Sequence, residues 1–196
     1  MRISCALFAS IYSLLYLTRS FKYRGTNPYE GTLGGSAKKN DGGVKVLGSD
    51  GLNIADLRRF LTTSSETSLK DGEEGKATSD KVSASSCIDA LNQTLNYGHI
   101  APTGPDSLPT FPSSESDPFV LNTRPTVYFV GNCDEFETRL VDANGDKIDE
   151  GAGKSDDVKD ATRLVCVPSF ALTGEVVMVK LRSLECEVLS FNDATL

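Results

Sequence analysis

Cysteine is the residue type in this sequence whose chemistry depends most on its spacing. The chain has 196 residues and five cysteines, of which four follow the N-terminal segment: Cys87, Cys133, Cys166 and Cys186. No two of these four are two to four residues apart, so their spacing does not match a zinc-binding motif. An even number of widely spaced cysteines in an exported chain instead predicts two disulfides, for which three pairings are possible.

Histidine, a frequent general base in hydrolases, occurs only once, as His99. A serine or cysteine nucleophile would have to recruit this single side chain from a stretch rich in glycine and proline. Asp142, Asn144 and Asp146 resemble the opening of a calcium loop, but the glycine and glutamate that such a loop needs are missing. We therefore expect no catalytic residues, no bound metal and no other cofactor.

The N-terminus is the reason to expect export. Met1-Arg2 precedes fifteen residues without charge, residues 3–17, and small residues flank Arg19. A basic start, a short apolar stretch and a small residue for cleavage are typical of a secretory signal peptide, here residues 1–20 with Ser20 removed last. An uncleaved anchor is the alternative, although a membrane span needs about 20 apolar residues. The sequence thus predicts a secreted protein with no membrane span after cleavage.

The net charge concerns possible partners. Lysine and arginine number 20 against 27 aspartates and glutamates, which gives a formal net charge of −7. An acidic surface repels both nucleic acid and anionic lipid. The composition therefore argues against nucleic acid as a partner and leaves a protein or a glycan.

Two short motifs predict modification in a secretory pathway. Asn92-Gln93-Thr94 is an N-glycosylation sequon, which makes Asn92 a candidate glycan site. Arg58-Arg59 is a dibasic pair that a processing protease could cleave, and two solvated arginines on a short helix are the alternative.

Composition and periodicity divide the chain into segments. Glycine, serine and charged residues dominate the first long segment, where Asn53 is expected to cap one short helix. Ile88, Leu91 and Leu95 then recur at helical spacing, and prolines with hydroxyl residues follow as a spacer. The predicted parts are a signal peptide over 1–20, a flexible arm over 21–83, a helix over 84–98, a spacer over 99–117 and a β-domain over 118–196.

The β-domain is predicted from strand-like alternation. Residues 126–130 form an apolar run, residues 136–140 alternate apolar and polar side chains, and Asn144-Gly145 marks a hairpin turn. Three more segments rich in β-branched residues follow. Short strands with turns between them predict a mainly β fold, with an antiparallel, immunoglobulin-like sandwich at the C-terminus after short helices and a disordered arm.

Arg59-Phe60-Leu61 supplies an Arg-x-Leu motif, and the acidic patch Asp71-Gly72-Glu73-Glu74 follows it. Together with the apolar N-terminus, this layout resembles secreted and surface proteins of eukaryotic pathogens. The resemblance implies a host-interaction or cell-surface factor.

The expected function is therefore that of a secreted, non-catalytic protein that binds a protein or glycan partner through the loops of its sandwich. A small structural or assembly subunit of a surface or secretory-organelle complex is the first alternative. A small secreted hydrolase is the second.

Overall fold

The computed structural model describes residues 4–7, 26–34, 43–67, 86–110, 113, 116–148 and 161–191, with the backbone alone for 4–7 and 62–67. Within these residues it has eight strands and three helices. In chain order they are β1 Ser4–Leu7, β2 Tyr29–Leu33, β3 Val44–Ser49, α1 Leu52–Thr67, α2 Cys87–Tyr97, β4 Val127–Cys133, β5 Glu137–Val141, β6 Thr162–Pro168, α3 Phe170–Thr173, β7 Glu175–Lys180 and β8 Cys186–Ser190.

A five-stranded mixed sheet forms the centre of the fold, with the strand order β2-β3-β4-β6-β5. Strand β4 pairs in parallel with β3 on one side and with β6 on the other, whereas the edge strands β2 and β5 pair antiparallel. A parallel strand covered on both faces needs a nearly continuous apolar run. The residues of β6 are all buried and those of β4 nearly all, which agrees with this requirement.

Helices α1 and α2 cover one face of this sheet. Tyr128 and Val130 of β4 belong to the core cluster that includes Ile54 of α1 and Leu91 of α2. Helix α2 buries its apolar stripe there and ends at Gly98, which has the left-handed conformation that closes many helices. The helix layer is thus fixed to the sheet by apolar contact along both helices.

The second sheet, β1-β7-β8, covers the other face. Val127 of β4 and Val165 of β6 alternate with the helix-facing residues and belong to a second core cluster, together with Val177 and Val179 of β7. The protein therefore has three layers, with helices on one side of the mixed sheet and a small antiparallel sheet on the other. Among the described residues, no helix is both long and apolar enough to cross a lipid bilayer.

The mainly β composition is confirmed, but an immunoglobulin-like sandwich is not. Such a sandwich is built from antiparallel strands, and here the three central strands are parallel. The predicted arm over 21–83 also differs from the structure, because β3 lies inside the sheet and its Val46 and Leu47 are buried. Likewise Ile100 and Ala101, in the predicted spacer, are buried. The glycine-rich surroundings of β3 concealed a short apolar run.

The turn from β3 into α1 requires glycine. Gly51 has a φ of +98°, and a Cβ atom there would lie 2.1 Å from the carbonyl oxygen of Gly131. Gly98 also has a positive φ, +65°, but a Cβ there would meet nothing within 4 Å. The two glycines therefore separate backbone strain from steric collision.

We expect Gly51→Ala to lower the free energy of unfolding by about 2–3 kcal/mol, since strain and collision add. Gly98→Ala, which adds strain alone, should cost about 1 kcal/mol. Urea denaturation with an unchanged m-value measures both. Equal losses in the two variants would contradict the close approach of β3 and β4 at Gly51.

Candidate functional site

The carboxyl ends of β3, β4 and β6 meet at one edge of the sheet, where open parallel sheets usually bind ligands. Asn132, at the end of β4, has a φ of 54°, and its side-chain amide donates to the main-chain oxygen of Asp50 at 2.8 Å. The Asp50 carboxylate accepts the Leu52 N–H at 3.1 Å. Polar groups at this edge thus connect the end of β4 to the start of α1.

A carboxylate cluster lies on the exposed side of α1. Asp56 is buried, and its Oδ2 accepts hydrogen bonds from the hydroxyls of Ser107 and Thr103. Arg59 Nη1 lies 3.8 Å from the other carboxylate oxygen. The hydrogen bonds from Ser107 and Thr103 lower the pKa of Asp56, and they outweigh the opposing effect of burial. The ionised carboxylate therefore holds the proline-rich segment after α2 against α1.

His99 joins the end of α2 to the segment before β4. Its Nδ1 accepts the Ala101 N–H at 3.2 Å, so its Nε2 carries the proton and donates to Asp117 at 3.0 Å. The Phe119 N–H and then His99 lower the pKa of Asp117. Both ring nitrogens of the single histidine are thus engaged in holding the chain.

Three of the four cysteines predicted to form disulfides lie together, and one does not. The sulfurs of Cys87, Cys133 and Cys166 all lie within 4.8 Å of one another. The Cys87 and Cys133 sulfurs are 3.1 Å apart, longer than a disulfide bond of roughly 2.05 Å. Cys186 packs in the second core cluster, on the other face of the sheet. The two disulfides stay a prediction, and this placement offers no partner for Cys186 among the other three.

The three clustered thiols share their protons unequally. Hydrogen bonds from Cys133 and Cys166 lower the pKa of the Cys87 thiol to about 4, against the effect of burial. The pKa of Cys166 is raised by its hydrogen bonds to Cys133 and Cys87 and by burial. For Cys133 the hydrogen bond from Cys166 lowers the pKa, but the bond to Cys87 and burial raise it further. The arrangement is one thiolate held by two thiols.

The two predicted modification sites are both part of packed structure. Asn92 Nδ2, the atom that would carry a glycan, donates to the Gly145 carbonyl at 3.0 Å. Arg58 and Arg59 lie within α1, where Arg58 Nη1 is 3.5 Å from Asp134 Oδ2. Glycosylation and processing at these positions stay predictions. Ser20, the predicted cleavage position, lies outside the described residues.

A concave surface of about 510 Å³ adjoins the β2 edge of the sheet. Its lining includes Glu30, Lys45 and Asn27 on one side and Phe119 and Leu121 on the other. The cleft therefore combines charged and apolar groups.

Comparison with known proteins identifies the family. A sequence model of the family described as the DNA polymerase alpha/epsilon B-type subunit matches residues 23–138, more than half of the chain. The chain belongs to this family. DNA polymerase delta subunit 2 of Drosophila melanogaster is 36% identical over 85% of this chain and 29% of that protein. The DNA polymerase delta small subunits of Arabidopsis thaliana and Saccharomyces cerevisiae are 35% and 31% identical over 76% and 85% of the chain. The chain spans less than a third of the length of these relatives.

Membership of this family of polymerase subunits overturns the interpretation of the chain as a secreted protein. The similarity to secreted proteins of eukaryotic pathogens is wrong, because the relatives are subunits of a DNA polymerase. The signal peptide over 1–20, the extracellular location and the description as a glycoprotein are wrong for the same reason. The apolar N-terminal stretch suggested a compartment that the rest of the chain does not support.

The expected function and partners are corrected as well. A secreted binding protein, a glycan partner and a surface or secretory-organelle complex all conflict with relatives that are polymerase subunits. Excluding nucleic acid was also wrong, because the relatives belong to an enzyme that copies DNA. Net charge describes one chain, whereas a subunit can be acidic in an assembly that binds DNA elsewhere.

Sequence reasoning did not single out the residues at the strand ends or the cluster around Asp56. A usable signal was present for the first group, since Ser49-Asp50-Gly51 and Gly131-Asn132 each follow an apolar run. Polar residues and glycine directly after a buried strand are typical of the functional edge of a parallel sheet. Nothing in the sequence connects Asp56 with Thr103 and Ser107, which are about fifty residues away.

We expect Asp56→Asn to lower the free energy of unfolding at pH 7 by about 1–3 kcal/mol, because hydrogen bonds to a charged acceptor weaken. The folded-state pKa of Asp56 lies below its ordinary value, so its contribution is present above about pH 4. It is lost as the pH falls through the folded-state value.

Urea denaturation of both proteins at pH 7 and pH 3 measures this difference, which should narrow at pH 3. Asp106→Asn, an exposed carboxylate in the same segment, is the matched control and should change little. A variant as stable as the original protein at pH 7 would refute the role of Asp56.

Proposed function

We propose that this chain is part of the small subunit of a delta-type DNA polymerase and acts there as a non-catalytic assembly element. The observation that carries the proposal is the 36% identity to a DNA polymerase delta subunit over 85% of the chain. Similar identity to relatives from a plant and a yeast supports it, because the likeness is not confined to one lineage.

The geometry supports a non-catalytic role. At the carboxyl edge of the parallel strands, the Asn132 amide and the Asp50 carboxylate bond to main-chain groups of this chain. His99 is bonded through both ring nitrogens. Groups that hold the backbone in this way are poorly placed to activate a substrate, since each would first have to release a structural bond.

The proposed partner is the catalytic subunit of the same polymerase. The three-layer core places every described element against another, which suits a subunit that offers a fixed surface to a larger chain. The proposed compartment is the one in which cellular DNA is copied.

We expect the protein, tagged in the cells that produce it and purified near physiological salt, to retain a DNA polymerase catalytic subunit in stoichiometric amount. Mass spectrometry of the purified material identifies the retained chains. Val130→Asp is the control, because a charge at this fully buried position of β4 should abolish folding and with it the complex.

A primer-extension assay tests the catalytic part of the proposal. The isolated protein should add no nucleotide to primed DNA, whereas the purified complex should extend it. Recovery of the tagged protein from the medium, or without any polymerase subunit, would refute the proposed function.

A further inference from the structure

Three thiols from distant parts of the chain meet in the core. Cys87 is the first residue of α2, Cys133 the last residue of β4, and Cys166 lies within β6. They are separated by 46 and 33 positions in sequence, so no local motif marks them. Their convergence is a product of the parallel pairing of β4 with β6 and of the packing of α2 against that pair.

The distances between the sulfurs suit a single metal ion. Three sulfurs bound at roughly 2.3 Å to a tetrahedral zinc are about 3.8 Å apart. The three sulfurs here all lie within 4.8 Å of one another, and the closest pair is 3.1 Å apart. Small side-chain rotations therefore bring all three to metal-binding distances without moving the backbone.

The setting of the cluster favours thiolate and excludes solvent. Cys87 begins a helix, where the unpaired main-chain N–H groups stabilise negative charge. Cys166 is fully buried and Cys133 nearly so. The guanidinium of Arg58 lies 3.5 Å from Asp134, the residue after Cys133. A cation bound at the sulfurs would thus have anionic ligands, a shielded site and a nearby counter-charge.

We propose that Cys87, Cys133 and Cys166 form a binding site for one thiophilic closed-shell cation. Soft thiolate ligands select Zn²⁺ and Cu⁺ among the common cellular metals. Three thiolates complete the trigonal coordination of Cu⁺, and Zn²⁺ takes one further ligand such as water. The site is structural, because it connects α2 to β4 and β6 inside the core. It does not depend on the partner proposed above.

A disulfide between Cys87 and Cys133 is the competing outcome. That bond would form with the loss of two protons and two electrons to an oxidant such as a peroxide, and would leave Cys166 without a partner. The corrected compartment disfavours it, since thiols inside cells are kept reduced.

The test uses the full chain purified under reducing conditions. Elemental analysis by mass spectrometry should find one equivalent of zinc or copper, and titration of the metal-free protein with Zn²⁺ or buffered Cu⁺ gives the affinity for each. Co²⁺, bound in place of zinc, should produce the near-ultraviolet sulfur-to-metal absorption of thiolate coordination.

Two serine variants distinguish a site from a fold effect. Cys87→Ser keeps a good residue for a helix start, so the variant should fold while its affinity for the selected metal falls at least about 100-fold. Cys186→Ser, at the one cysteine outside the cluster, should bind the metal as the original protein does. Circular dichroism of the metal-free variants verifies that both are folded.

Three results would overturn the proposal. The first is the absence of binding of either metal to the reduced protein at micromolar concentration. The second is a mass two hydrogens lower in the protein isolated without reductant, which indicates the disulfide. The third is an equal loss of affinity in Cys87→Ser and Cys186→Ser.

Discussion

The parallel pairing of β4 with both β3 and β6 is the constraint on which the rest of the structure depends. A strand hydrogen-bonded on both sides presents two faces, and here neither face is polar enough to meet water. Each face therefore has to be covered, by α1 and α2 on one side and by β7 with its neighbours on the other. The connection from β3 to β4 contains both helices, because parallel strands cannot be joined by a tight turn.

The buried polar groups reinforce these contacts. Asn53 of α1 accepts from Ser49 at 2.9 Å and donates to the Ile100 carbonyl at 2.7 Å, which ties α1 to β3 and to the segment after α2. The Thr94 hydroxyl donates to the Leu91 carbonyl, so it accepts from Tyr128 and connects α2 to β4. Burial raises the pKa of Tyr128 to about 12, and its hydroxyl stays neutral throughout the physiological range. Such bonds add specificity to layers that apolar packing already holds together.

The sequence predicts local features well where one segment contains the whole signal. Ile88, Leu91 and Leu95 indicate α2, and Asn144-Gly145 lies at a turn where the Gly145 N–H donates to the Asp142 carbonyl. Strand direction is different, because an apolar run such as that of β4 reads the same in parallel and antiparallel pairing. Asn53 looked like a helix cap, yet it lies inside α1 and serves a tertiary contact. The meeting of three cysteines depends on that undetermined pairing, so it could not be read from spacing.

The interval between α1 and α2 has a consequence for how this family can vary. Both helices are held by their own contacts with the sheet, and the residues between them, 68–85, are mostly polar or small. Doubling the length of a loop between two fixed ends costs only about 0.6 kcal/mol. Insertions and deletions should therefore accumulate here during evolution, while the lengths of β3, β4 and β6 stay constant. The interval is also a natural place to graft a peptide tag or a fluorescent reporter without disturbing the core.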